Sequence, residues 1–335
     1  MKYIILLSLL LSLFAILYPL SAALNNPYPT LSAPDPEINN KPDFSAKSDT
    51  DASFSVKLLT EGNITVLPLD EYLIGVLGAE MPASFEDEAL KAQAVAARTY
   101  TLYKMFVSPS SAHPDADVCD DVNCCKAYSS PDKLREKWGD DYLIHYEKIS
   151  AAVSSTDGEC LLYEGEPILA AFHSSSPGRT EASENVWQTA LPYLRPTDSP
   201  ETADDVPDYI SSVSLSLSEF KETISAQYPD ALFDTDPAEW ISETSYTESG
   251  RISRICIGGI NLTGSELRAL FGLRSAYIDI SVTDSAVVLT VSGYGHGVGM
   301  SQYGANVMAK RGSTYSEILL HYYQGTKLGH MHLIE

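Results

Sequence analysis

Basic side chains are scarce in this chain of 335 residues: 22 Lys and Arg stand against 45 Asp and Glu, a formal net charge of −23. Phosphate binding needs clustered cations, so this balance argues against nucleic acid as a partner. An uncharged or weakly charged substrate fits better. A Gly-x-Ser-x-Gly elbow is missing, and neither Ser174 nor Cys160 forms a triad pattern with His173 or His296, which argues against a serine or cysteine hydrolase. The glycine-rich run near the C-terminus lacks the Gly-Lys-Ser/Thr ending of a Walker loop and opens no repeated βαβ unit, so nucleotide binding is disfavoured too. No internal repeat is evident. Cysteines number five, Cys119, Cys124, Cys125, Cys160 and Cys256. In an exported chain that odd count leaves at least one free, metal-bound or paired between chains.

Hydrophobic residues make up 44% of the chain, ample for a packed core. Lys2 precedes an apolar run from Ile4 to about Leu17 that continues through Leu20. Residues 1–24 therefore read as a signal segment or a retained membrane anchor, and either one exports the rest of the chain. The small residues Ser21, Ala22 and Ala23 leave cleavage open. Residues 25–50 are rich in Pro, Asn, Ser and Asp, bury too little to offset chain entropy, and read as a flexible linker.

Beyond the linker, Leu69, Tyr72, Leu73, Val76 and Leu77 recur at helical spacing and predict a short helix ending at Gly78. A second, alanine-rich helix is expected from Ser84, with Asp87 completing a capping box, to about Met105. Alternating residues around Glu164-Gly165 and around Asp284 predict two hairpins. Thr314 with Glu317 caps a last helix ending near Gly325. Between Pro200 and Tyr277 the chain turns acidic and less patterned. The expectation is an α+β fold: mixed helices and antiparallel hairpins forming one catalytic core (51–200 and 276–335) with a cleft, and an inserted α+β subdomain (201–275).

Glu80 stands in the apolar, Gly- and Pro-marked corner Leu77-Gly78-Ala79-Glu80-Met81-Pro82. A carboxyl kept dry and still holds its proton more tightly and can deliver it to a leaving group; the plainer alternative is a helix cap or a structural ion pair. Lys91 and Arg98, seven apart on one helix face, could line a cleft beside it or simply face solvent. Glycines at 293, 295, 297 and 299 present His296 on a loop cleared of side chains, which suits a site. His113, Cys119 and Cys125 stand at even intervals, an imidazole and two thiolates of the kind tetrahedral zinc prefers. Water, Cys124, Asp117 or Asp121 would complete it. A disulfide through Cys119, or free thiols, is the alternative; zinc in such a loop would be a staple rather than a reaction centre.

Several ordered blocks then carry a resemblance. Leu67 to Leu73, Ala79-Glu80-Met81-Pro82, Ala89 to Tyr100, Cys125-Lys126-Ala127-Tyr128, Phe172 to Glu181 with Val186-Trp187 and Leu191 to Leu194, and Gly295 to Ala305 together resemble the SpoIID/LytB family from about residue 53 to the end. The resemblance implies a lytic transglycosylase that cuts peptidoglycan glycan strands between N-acetylmuramic acid and N-acetylglucosamine during forespore engulfment, with Glu80 as its catalytic acid. It carries cleft roles to Lys91, Arg98, Tyr128, Ser174, Tyr193, His296, Gln302 and Tyr303. It requires no cofactor for the chemistry. Some clostridial members resemble this chain in a His-Cys-Cys zinc site, matching His113, Cys119 and Cys125. The implied partners are glycan strands, a sporulation amidase (stage II sporulation protein P) and a membrane anchor protein (stage II sporulation protein M). The implied location is extracytoplasmic, tethered by the N-terminal helix in the mother-cell membrane. LytB-like relatives imply a different role, a non-catalytic wall-binding module that activates an amidase. Pro177, where many relatives have glycine, and the extra Cys124 depart from the family pattern.

Overall fold

A computed structural model describes residues 50–330 other than Gln188. The expected anchor (1–24) and nearly all of the expected linker lie outside the described residues. Among those described, no helix is long and apolar enough to cross a membrane.

After a 3-10 turn at Asp51–Ser53, the described residues form an antiparallel hairpin, β1 (Ser55–Thr60) and β2 (Asn63–Pro68). Helix α1 (Leu69–Glu80) comes directly after it, acidic in its first turn where the helix dipole favours it. It runs through Gly78 to Glu80 rather than stopping at the glycine. Next comes α2 (Asp87–Leu102), preceded by Glu86 as N-cap with no side-chain cap, so the expected Ser84 capping box is not formed. Leu90 N–H is instead satisfied by the Glu86 carbonyl, and Glu86 N–H by Asn306 Oδ1.

Helix α2 is the hub. It packs against α1, α4 (Tyr142–Ser154), α8 (Gln302–Lys310), α9 (Tyr315–Tyr322) and strand β4 (Glu159–Tyr163). Its alanines let five neighbours approach, and all its residues but Asp87, Glu88 and Lys91 are buried. A π-helical turn, Tyr103–Val107, ends it. Strand β3 (Val118–Cys119) then adds parallel to β1, and α3 (Pro131–Trp138) lies near α1 and α4. The first expected hairpin is present: β4 pairs with β5 (Glu166–Pro167) around Glu164 and Gly165, both at positive φ.

Strand β6 (Phe172–His173) pairs in parallel with β13 (Met300–Ser301), joining the Phe172–Glu181 block to the glycine–histidine loop. A short helix, α5 (Glu184–Trp187), stands between them in sequence. A second hydrophobic core forms around Phe220, Trp240, Ile255, Ile257, Leu267, Val287 and Leu289. It holds two three-stranded sheets, β11-β12-β7 (β7 Ile210–Ser216, β11 Ile278–Val282, β12 Ala286–Ser292) and β10-β9-β8 (β8 Ile241–Tyr246, β9 Ile252–Ile257, β10 Ile260–Leu262). Helices α6 (Leu217–Gln227) and α7 (Gly264–Leu270), both with capping boxes, complete it. One expectation needs correction here. The hairpin β11–β12 was assigned to the catalytic core after residue 276, yet it pairs with β7 and buries Val287, Leu289 and Val291 in the second core. Alternation gave the strands, but the face they bury was decided by which edge they could pair with. The fold is α+β, with several small, mostly antiparallel sheets and, among the described residues, no closed barrel.

Candidate active site

Glu80 is the last residue of α1, where the chain turns into Met81. Its carboxylate Oε1 accepts a hydrogen bond from Ala127 N–H at 3.1 Å, which ties it to the Cys125–Tyr128 segment. It is half-buried rather than fully enclosed, so the expected dry pocket is a partly open one. Lys126 and Lys137 both lie within its electrostatic field. Lys137 Nζ donates to the Gly78 carbonyl at 2.7 Å and so caps the end of α1.

Next to Ala127 opens a cavity of about 100 Å3, lined among others by Tyr103, Lys104, Lys126, Leu169, Trp187 and His296. Lys126 Nζ lies 3.7 Å from the Phe172 ring centroid and 4.6 Å from that of Tyr100. Burial pushes its pKa down to about 8, against the attraction of Glu80. Lys104, carried in on the π-helical turn, sits 5.9 Å from the Tyr100 centroid. None of the lining residues is Asp or Glu.

Two histidines meet behind the cavity, their ring centroids 5.7 Å apart. Val298 N–H donates to Nδ1 of His296 at 3.1 Å, so the neutral ring carries its proton on Nε2. Burial, with His173 next, holds its pKa well below the ordinary imidazole value. For His173, burial and then Arg251 push the pKa down to about 3. Neutral His173 donates from Nδ1 to the Val298 carbonyl (3.2 Å) and accepts at Nε2 from the Ser176 hydroxyl (2.6 Å). The second core reaches this point too. Arg251, buried, donates to Ser176 Oγ, Ser249 Oγ and the Arg179 carbonyl, while buried Glu181 accepts from Thr247 and Ser249 hydroxyls.

Glycine is required at two points of the His296 loop. At Gly299 (φ +72°) a Cβ would stand 2.0 Å from the Ala171 carbonyl oxygen, and at Gly297 (φ +85°) 2.5 Å from the Arg251 guanidinium.

The sequence-predicted residues divide. His296 lines the cavity. Tyr193 is buried behind its wall, its hydroxyl accepting from Leu169 N–H at 3.2 Å. Tyr128 stacks on Tyr72 of α1, with ring centroids 5.8 Å apart. Ser174, Gln302 and Tyr303 form a group at the start of α8: Tyr303 N–H donates to the Ser174 carbonyl at 3.0 Å, and the buried Gln302 Nε2 has no hydrogen-bond partner among the described residues. Two predictions are corrected. Arg98 is fully buried and bound by Asp51 (2.7 and 2.6 Å), with further bonds to Thr156 and to the Val153 and Glu159 carbonyls, so it faces no cleft. Lys91 pairs with Glu88 at 2.7 Å, and Glu88 in turn accepts from Tyr315 N–H; this places Lys91 beside α9, outside the cavity lining. A helix enclosed on nearly every side has no cationic stripe to offer. Sequence reasoning missed Lys104, and quoted Lys126 and Trp187 within the family blocks without giving them a task.

The metal-ligand prediction converges. Donor atoms of His113, Cys119, Cys124 and Cys125 all lie within 4.8 Å of one another, a set that could hold a metal ion, with Cys124 in the group and Asp117 and Asp121 outside it. Cys125 Sγ is 3.4 Å from His113 Nε2 and 4.0 Å from Cys124 Sγ. Tetrahedral zinc with bonds of about 2.0–2.3 Å spaces its ligands by roughly 3.5–3.8 Å, so the set needs little adjustment. His113 Nδ1 donates to the Ala116 carbonyl at 2.9 Å, which turns Nε2 towards the thiols. All five cysteines are free thiols, Cys160 deep in the first core and Cys256 on β9.

The family model for SpoIID, described as Stage II sporulation protein, matches residues 60–163. Stage II sporulation protein D of Bacillus amyloliquefaciens is 38% identical over 280 residues, covering 84% of this chain and 79% of that protein. Its counterpart in Bacillus subtilis (strain 168) is 38% identical over 263 residues, covering 78% and 74%. The amidase enhancer of the same strain is 30% identical, covering 76% of this chain but 40% of its own length. Identity at this level across most of both chains means that the protein belongs to the stage II sporulation protein D family.

Proposed function

We propose that the protein is a lytic transglycosylase of the sporulating cell wall, cutting glycan strands between N-acetylmuramic acid and N-acetylglucosamine. One observation carries the reading. A single carboxylate, Glu80, is held by Ala127, next in sequence to Lys126 of a cavity whose lining contains no Asp or Glu. Hydrolytic glycosidases generally flank the scissile bond with two carboxyls. An intramolecular attack by the sugar's C6 hydroxyl needs one group only. Glu80 as acid protonates the glycosidic oxygen; as carboxylate it then takes the proton of the C6 hydroxyl, which bonds to C1 and leaves a 1,6-anhydro end. Ala127 N–H, donating to Oε1, holds the carboxyl in place for both transfers.

Zinc held by His113, Cys119, Cys124 and Cys125 would cross-link the β3 edge to the segment that leads to Ala127. It takes no part in the chemistry. The protein acts outside the cytoplasm, held at the membrane by residues 1–24, beside a sporulation amidase and a membrane anchor protein. Its relation to the amidase enhancer supports a second reading, a non-catalytic activator of an amidase. Mass spectrometry of products from purified glycan strands separates the two. The transglycosylase yields anhydro ends and Glu80→Gln abolishes them; strands left intact by the wild-type protein, or cut equally by Glu80→Gln, overturn the assignment.

A further inference from the structure

Lys104 and Lys126 are the least expected feature of the cavity. The chain carries an excess of 23 negative charges, yet neither ammonium has a hydrogen-bond acceptor or an ion-pair partner among the described residues. Aromatic faces lie against them, Tyr100 for both and Phe172 for Lys126, while Glu80 and Cys125 attract Lys126 electrostatically and Cys124 and Cys125 also line the cavity. A ring stabilises a cation without neutralising it, so the positive charge remains available to a ligand. Glu80 is the carboxylate whose field reaches Lys126, without an ion pair between them among the described residues. His296 adds a donor of the same polarity, since Val298 N–H occupies Nδ1 and leaves the ring proton on Nε2. Leu169, Ala171 and Trp187 supply an apolar part of the lining. A space of about 100 Å3 holds several waters, room for a small polar group.

We propose that this cavity is a receptor for a carboxylate on a short apolar arm, bound by the ammonium groups of Lys104 and Lys126 and by His296 Nε2–H. The inference rests on the glycan-strand reading for its ligand, the lactyl group of N-acetylmuramic acid, whose methyl group meets the apolar part of the lining while its carboxylate meets the donors. Charge-assisted hydrogen bonds in a partly desolvated site supply the selectivity.

Saturation-transfer NMR tests it with the full-length protein and four probes: N-acetylmuramic acid, its neutral lactyl amide, N-acetylglucosamine and inorganic phosphate. The acid should bind at least about tenfold tighter than the amide or N-acetylglucosamine, the loss expected for one charge-assisted bond. Lys104→Met and Lys126→Met should each remove that preference, and the acid-to-amide comparison stands on the wild-type protein if either variant fails to fold. Equal affinity for acid and amide, no binding of the acid, or a preference for phosphate overturns the receptor. Because the readout is binding, an inactive protein that still selects the acid overturns the reaction and spares the receptor. An active one with no such preference does the reverse.

Discussion

A guanidinium inside an enclosed helix must have its charge answered by protein, and Arg98 is answered by Asp51 from just before β1 and by carbonyls at the end of α4 and start of β4. Burial pushes the Asp51 carboxyl upward in pKa despite that partner, so the pair persists by being complete rather than by being cheap. Removing one member leaves the other charged and buried. Arg98→Met should therefore lower the unfolding free energy by about 3–5 kcal/mol, read by urea denaturation. Glu80 is the opposite case, half-buried and lightly held. Glu80→Gln keeps the shape and the Ala127 hydrogen bond, so its melting temperature should stay close to wild type while cleavage is lost. A drop as large as that of Arg98→Met would make Glu80 a structural residue.

At the level of elements, the site is assembled by two short segments that regular structure alone would not produce. The β6–β13 pairing brings Phe172-His173 alongside Met300-Ser301, and it depends on the backbone approach at Gly299. Gly299→Ala places a methyl group against the Ala171 carbonyl at a φ unsuited to alanine. It should cost more than the roughly 1 kcal/mol of a strain-free exchange and weaken cavity binding together with stability, measured by melting and ligand titration. The second segment is the loop from His113 to Cys125, which carries the four donors. Cys119→Ser should lower zinc content by elemental analysis and reduce the melting temperature, and a chelator should do the same to the wild type. Unchanged zinc stoichiometry in Cys119→Ser would remove that ligand.

Across the whole molecule, the two hydrophobic cores are joined by a buried polar network running from Glu181 through Ser249 and Arg251 to Ser176 and His173. His173 is neutral in the fold, its pKa pushed from 6.5 to about 3. An unfolded chain binds that proton and the folded one does not. Stability is thus fully present above pH 6.5 and falls as the pH drops towards 3, by roughly 2 kcal/mol between pH 7 and pH 5 from this group alone. His296, shifted in the same direction, adds to the fall. Urea titrations at the two pH values should show the loss, and His173→Asn should flatten the difference; a stability independent of pH over that interval would contradict the buried neutral pair.

Much of this was legible in the chain. Periodicity placed α1, α2 and both hairpins, Thr314 and Glu317 announced the cap of α9, and the even spacing of His113, Cys119 and Cys125 named three of four clustered donors. The corner around Glu80 and the glycine loop around His296 stood out because local backbone demands are written in local residues. Other features were settled only when the elements packed. Whether a cation on α2 met solvent or a buried aspartate depended on which five neighbours surrounded that helix, and Arg98 and Lys91 were misread for this reason. Lys104 and Lys126, 22 residues apart, became one cavity wall because the π-helical turn and the cysteine loop converge on Tyr100. Sequence determines what each segment can form; burial and charge pairing are properties of neighbours far apart along the chain, and those only the tertiary structure decides.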